Sequence, residues 1–398
     1  MTSIDGPWRR TAQGAGLLGD DGAVQATVFA TMSALATSTG ALNLGQGFPD
    51  EPGPREVLDA AAAAILAGDN QYPPGRGTAP LRTAIADHQA HWYGLDVDPD
   101  TEVLVTVGAT EALAATILAL CGPGDEVVVL EPAYDAYGAL VALAGATLVP
   151  VPLRAPTFAL DHDALRAAVT DRTRILLVND PHNPTGARLT PRDRELVVDL
   201  ATRHDALIVT DEVYEHLVFD GPHVPIATLP GAAERTVTIS SGGKTFSTTG
   251  WKIGWLTAPA PLVTAIQSVK QFLSYVGGAP FQPATAIGLA LPDARFAEIA
   301  GTLARKRDPL CDGLDRVGFV VSRPAAGYFA IADARPLGVT DTEAFCRELP
   351  ERVGVAAIPV TAFVAPERHA MVVGLVRFAF CKRDEVLHEA VERLALLT

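Results

Sequence analysis

Cysteine is scarce in this 398-residue chain, and the four present, Cys121, Cys311, Cys346 and Cys381, are scattered. No CxxC pair occurs and the nine histidines add no metal-ligand spacing, which leaves neither a disulfide framework nor a zinc site in view. Reduced, mostly buried thiols in a cytoplasmic protein are expected instead. No stretch approaches the about 20 apolar residues of a membrane span, because charges or glycines break the alanine-rich runs. Residues 1–22 are polar and glycine-rich, with Asp5, Arg9 and Arg10, and lack the apolar centre of a secretion signal. Positive charge is also short: 31 Lys and Arg against 46 Asp and Glu give a formal net charge of -15. That excess argues against a nucleic-acid or anionic-membrane partner, although local arginines can still receive an anionic substrate. What the chain does have is apolar content, 48% against 19% charged. It is enough for a large core and too long for one simple domain.

Short β-rich runs alternate with longer helical ones. Strands are expected at Val103–Val107, Glu126–Leu130, Thr147–Val151, Arg174–Val178, Ala206–Thr210 and Thr236–Ser240, most of them continuously apolar, as strands covered on both faces must be. Helices are expected at Thr110–Leu120, Ala133–Ala144, Leu160–Val169 and Pro191–His204. Such alternation reads as an α/β fold, a mostly parallel sheet between helices. From about Pro292 the pattern becomes a long helix, Ala294–Val317, short strands at Phe319–Val321, Tyr328–Ala332 and Val376–Phe380, and a final helix, Arg383–Leu397. The expected division is an N-terminal arm, 1–48, packing with a small α+β domain, 292–398, and a large domain, 49–291.

One stretch concentrates chemistry. The strand-like Thr236-Val237-Thr238-Ile239 runs into Ser240-Ser241-Gly242-Gly243-Lys244, and Lys252 follows eight positions later. Upstream stand Asn183, in Asp180-Pro181-His182-Asn183-Pro184, and Asp211 and Tyr214, in Asp211-Glu212-Val213-Tyr214; downstream stands Arg377, in Val376-Arg377-Phe378. Gly108-Ala109-Thr110-Glu111 follows a strand and opens a helix, so its free N–H groups offer an anion site, or a plain helix cap. Asp211 ends an apolar strand, the edge at which open α/β sheets bind ligands.

This order of Asn, Asp, Tyr, Lys, Lys and Arg resembles the class I/II aminotransferases of fold type I, which use pyridoxal 5'-phosphate. The resemblance extends from about Val24 to the end. It is nearest the branch holding N-succinyldiaminopimelate, kynurenine, glutamine and methionine aminotransferases, through the runs 105–111, 211–219, 250–255, 274–282 and 353–359. It implies a seven-stranded, mostly parallel large-domain sheet. It implies that Lys244 forms the Schiff base with the cofactor and shuttles the substrate proton. It further implies that Asp211 pairs with the ring nitrogen, that Asn183 and Tyr214 bind the ring's phenolic oxygen, and that Tyr134 stacks on the ring. Ala109, Thr110, Ser241 and Lys252 would hold the phosphate. Tyr72, in Gln71-Tyr72-Pro73, would reach the phosphate in the neighbouring subunit of a homodimer. Arg377 would grip the substrate α-carboxylate in a two-pronged contact, with Asn183 alongside. Gly45 would let that carboxylate approach the backbone, and Phe29 would wall the pocket or simply fill the core.

The activity implied is transfer of an α-amino group from an L-amino acid to a 2-oxo acid. N-succinyldiaminopimelate or a bulky neutral or aromatic amino acid is the expected donor, and 2-oxoglutarate the acceptor. Tyr275-Val276-Gly277-Gly278 stands where kynurenine-type enzymes have an aromatic–His pair, which favours a longer or bulkier donor than kynurenine. A β-lyase, or a biosynthetic oxidase or cyclase, would use the same cofactor residues and stays open as the alternative.

Overall fold

In the computed structural model, which describes residues 5–19 and 21–397, the strands in chain order are β1 (Leu42–Asn43), β2 (Val103–Val107), β3 (Glu126–Glu131), β4 (Thr147–Pro152), β5 (Thr173–Asn179), β6 (Leu207–Asp211), β7 (Thr236–Ser241), β8 (Ile253–Thr257), β9 (Val320–Ser322), β10 (Phe329–Asp333), β11 (Val355–Ala356), β12 (Ile358–Pro359) and β13 (Leu375–Ala379). Seven of them form one sheet in the order β2-β8-β7-β6-β5-β3-β4. Its neighbours are parallel except β8, which runs antiparallel to both β2 and β7.

The continuous apolar runs are explained by burial on two faces. Val127, Val129, Ile175 and Leu177 join one core cluster, with Leu113 and Ile117 of the helix Gly108–Leu120. Val128, Leu130, Leu176 and Val178 join another, with Leu196 and Leu200 of the helix Pro191–Arg203. Side chains alternate across a strand, so a sheet sandwiched between helices needs both sets apolar. The second cluster continues into Leu310, Phe345, Ile331 and Phe378, so the C-terminal part shares a core with the large sheet.

A four-stranded antiparallel sheet, β12-β13-β10-β9, carries the C-terminal part, flanked by the helices Asp293–Val317 and Asp384–Leu394. β1 pairs in parallel with β11, tying the residues around 42–43 to this part of the chain. The helix Trp8–Gly14 packs on Asp135–Ala144 with backbone contact, since a Cβ on Gly14 would lie 2.5 Å from the Gly138 carbonyl oxygen. Among the described residues, no helix is long and apolar enough to cross a membrane, and all four cysteines are free, three of them buried.

Candidate active site

β5, β6 and β7 end side by side and deliver Asn179, Asp211 and Ser241 to one edge of the sheet. A four-residue helix, Gly242–Thr245, begins directly after β7 and lifts Lys244 over that edge. Together with Ala109, Thr110, Tyr134, Asn183, Tyr214 and Lys252, the residues Asp211, Ser241 and Lys244 line a single cavity of about 160 Å³. Arg377, Gly45 and Phe29 are not on its wall. They lie beyond Asn183, whose side-chain oxygen accepts from Arg377 Nη1 at 3.3 Å. Tyr72 is also absent from that wall. It is 84% exposed, with its ring 5.8 Å from that of Tyr275.

Lys244 Nζ donates to the Tyr328 hydroxyl at 3.1 Å, and that hydroxyl donates to the Gly47 carbonyl at 2.7 Å. The amine also sits 5.9 Å from the Tyr214 ring. Asp211 is buried, and Tyr137 donates its phenol to Oδ2 at 2.7 Å. Burial pushes the Asp211 carboxyl above its usual range, against the Tyr137 bond, the Val213 amide and the Lys244 charge. Burial likewise raises the Tyr214 phenol.

At the other end of the cavity, Gly108 opens the helix Gly108–Leu120 at φ +73, and a Cβ there would come within 3.1 Å of Lys252 Nζ. Glycine therefore meets two demands at once, a left-handed backbone and a lysine resting on it. Burial, then repulsion from Lys244, lowers the Lys252 pKa, and Glu111 opposes them. Tyr134 closes a side of the cavity; burial raises its phenol and a hydrogen bond from Thr110 resists.

Arg377 sits in the middle of β13, opposite Ile331 and Ile358, and is 2% exposed. Its guanidinium lies 3.8, 4.7 and 5.3 Å from the rings of Phe329, Phe363 and Phe29. Nη2 donates to the Gly45 carbonyl at 2.8 Å, and Nε is buried without a partner among the described residues. Burial pulls its pKa down to about 10. Phe29 is both core and wall, since its ring meets Phe363 edge-on at 5.6 Å and faces Arg377. Gly45 has a packing reason as well, because a Cβ would come within 2.9 Å of Ile358.

Several residues here escaped the reading of motifs. Tyr137 is one helical turn after Tyr134, and that spacing could have flagged it. Asn179 donates to the Asp211 main-chain oxygen at 2.7 Å and accepts the Asn183 amide at 2.6 Å, which locks the two segments together. Tyr328, Phe329 and Phe363 come from the C-terminal part, and nothing in their local sequence announces a site. Phe363 is held in place because its carbonyl accepts the Ala133 amide at 2.7 Å, while Arg368 pairs with the buried Glu131 at 2.5 Å.

A seven-stranded α/β sheet with a lysine, a buried carboxylate and a helix N-terminus around one cavity defines the fold type I class of pyridoxal-phosphate enzymes. The sequence pattern of aminotransferase class I and II matches residues 39–394, and the chain belongs to that family. A Mycobacterium tuberculosis protein named as a probable N-succinyldiaminopimelate aminotransferase is 55% identical over 380 residues, covering 93% of this chain and 96% of its own. The methionine aminotransferase of Escherichia coli is 37% identical, with 93% and 96% coverage. The solved structure of N-succinyldiaminopimelate aminotransferase from Mycobacterium tuberculosis superposes with a TM-score of 0.93 at 52% identity over 100% of both chains. The protein is thus a pyridoxal-phosphate-dependent aminotransferase acting on amino acids and 2-oxo acids.

Proposed function

We propose that this aminotransferase takes N-succinyldiaminopimelate as its amino donor, with 2-oxoglutarate as the partner oxo acid, and that Lys244 is its catalytic base. The observation behind the site assignment is that the Lys244 amine and the buried Asp211 carboxylate open onto one cavity. The donor set suits pyridoxal phosphate: a carboxylate for the ring nitrogen, an amine for the aldehyde, and a helix N-terminus with Ser241 and Lys252 for the phosphate. When bound, the cofactor supplies an aldehyde and a ring that accepts electrons.

The remaining roles fall to the chain's own residues. Arg377 binds the α-carboxylate with donors not consumed by Gly45 and Asn183, and its aromatic surround excludes water, which strengthens the contact. Asn183 and Tyr214 would donate to the cofactor's phenolic oxygen. Lys244 Nζ then takes the proton from the substrate Cα, and Tyr328 steadies that amine from behind. The choice of donor is supported by the 55% identical relative named for that substrate; Gly277 and Gly278 open no extra space, because a Cβ there would lie 2.8 Å from Val107 and 2.3 Å from Ile253.

The reading extends to a cytoplasmic homodimer in which Tyr72 completes the neighbouring site. Leu66, Tyr72 and Phe272 are each more than four-fifths exposed, at 88%, 84% and 87%. Apolar side chains exposed to that degree suit burial against a second copy.

A donor screen tests the substrate. N-succinyldiaminopimelate, methionine, kynurenine and glutamine are offered to the holoenzyme with 2-oxoglutarate or pyruvate, and cofactor absorbance is followed. The succinylated donor should give the highest kcat/KM; a tenfold preference for methionine or kynurenine would reject the substrate and leave the mechanism standing. For the site, borohydride reduction and peptide mapping should label Lys244, and Lys244→Ala should abolish turnover. A label on any other lysine defeats the assignment.

A further inference from the structure

Tyr137 is 2% exposed, and among the described residues the only hydrogen bond of its side chain is the one it donates to Asp211 Oδ2 at 2.7 Å. Its ring meets that of Tyr134 edge-on, with centroids 5.6 Å apart and planes at 90°. One turn of one helix therefore presents two tyrosines to the cavity, one flanking its interior and one aimed at the carboxylate.

Resting on the cofactor assignment above, we propose that Tyr137 is a positioning residue. Its phenol occupies one oxygen of Asp211, so that the other oxygen is presented as an anion to the protonated ring nitrogen of pyridoxal phosphate.

Polarity fixes the direction of this bond. A carboxylate accepts and cannot donate, whereas a phenol buried beside a carboxylate keeps its proton and donates. The bond thus has one possible direction, and it favours the ionised carboxyl. Besides it, the Lys244 charge and the Val213 amide favour that form. Val213 reaches Oδ1 only at 3.4 Å. The amides of Asn179 and Asp180 hold the Asp211 main-chain oxygen, at 2.7 and 3.2 Å, and leave the carboxylate alone. Burial meanwhile presses the carboxyl toward its neutral form.

Between Asp211 and the ring nitrogen a single proton has two homes. On the nitrogen it makes the ring a strong electron acceptor; on the carboxyl it leaves the ring a weak one. Donation from Tyr137 places it on the nitrogen without adding or removing a proton. Tyr137→Phe keeps the ring and its packing and removes only the donor.

The test uses the apo forms of the wild type and of Tyr137→Phe, with two probes: pyridoxal phosphate, and its 1-deaza analogue, which has C–H in place of the ring nitrogen. Kd is measured for each by fluorescence titration. The wild type should prefer the natural cofactor, and the variant should lose about tenfold of that preference, the scale typical of a residue that orients a binding group. The Kd for the analogue should stay within about twofold. In the same variant, the pH midpoint of the holoenzyme's absorbance should shift. An equal loss for both probes would assign Tyr137 to packing alone and overturn the proposal, as would no loss for either. A wild type that binds neither probe would overturn the cofactor assignment itself, and this inference with it.

Discussion

At the scale of single residues, one charged group on the cavity wall and one beyond Asn183 are both held at a cost. Arg377 and Asp211 are buried, and burial disfavours the charge on each. Such sites persist where a ligand supplies the missing counter-charge. For Arg377 the consequence is specific. A lysine in its place would reach the carboxylate with one donor direction instead of a planar pair and would lose its contacts to three phenylalanine rings. Arg377→Lys should cost on the order of 2–5 kcal/mol in transition-state binding. The measurement is kcat/KM for any productive donor, and an unchanged value removes Arg377 from the substrate site. The family resemblance points to Asn183, Asp211, Tyr214, Lys244 and Lys252, and all five line one cavity. Tyr137, Asn179 and Tyr328 could not be read that way. Each acts by touching another site residue across 74, 32 and 84 positions of sequence respectively, and such contacts exist only after folding.

At the scale of elements, the expected strands and helices form within a residue or two of their expected ends. The exception is the last helix, expected over 383–397, which ends at Leu394 and gives way to a 3-10 turn over Ala395–Leu397. The six apolar runs were legible because two-sided burial makes them continuous. The seventh strand, β8, hid for a physical reason. Its sequence, Ile253-Gly254-Trp255-Leu256-Thr257, has a glycine that lowers strand propensity. The glycine is there because a Cβ at position 254 would fall 2.4 Å from the Gly108 carbonyl carbon and 2.6 Å from the Ala109 nitrogen. β8 thus presses directly on the N-terminus of the helix assigned to the phosphate. Gly254→Ala should displace that turn, with overpacking of roughly 1–3 kcal/mol or more, and lower both the thermal midpoint and the bound pyridoxal phosphate per chain. Gly250→Ala, where a Cβ meets nothing within 4 Å, is the matched control and should change neither. A Gly254→Ala protein with full cofactor content would separate β8 from the anion site.

At the scale of the whole molecule, acid stability follows from histidines that the fold buries uncharged. Burial drives His182 down to about 4 and His216 to about 3, and lowers His88 as well. His223 runs the other way: burial lowers it, but the adjacent Glu212 outweighs that and raises it overall. His182 gives the cleanest test, for it sits in the turn before Asn183 with its Nδ1 2.8 Å from the Thr185 hydroxyl and no carboxylate among the causes of its shift. Its folded pKa is depressed, so above about pH 6.5 both states leave it neutral and its stabilising contribution is complete. As pH falls from there toward 4, the unfolded chain takes up a proton that the folded chain refuses, and stability declines. Over that window the single group should withdraw roughly 3 kcal/mol. Urea unfolding of the wild type and of His182→Gln, each saturated with cofactor, would be compared at intervals from pH 7.5 to 4. The glutamine variant should start less stable, and its deficit should shrink by roughly that amount as the pH falls. A deficit that stays constant across the window would mean that His182 is protonated alike in both states, and that the turn carrying Asn183 tolerates a charge where the fold places a neutral ring.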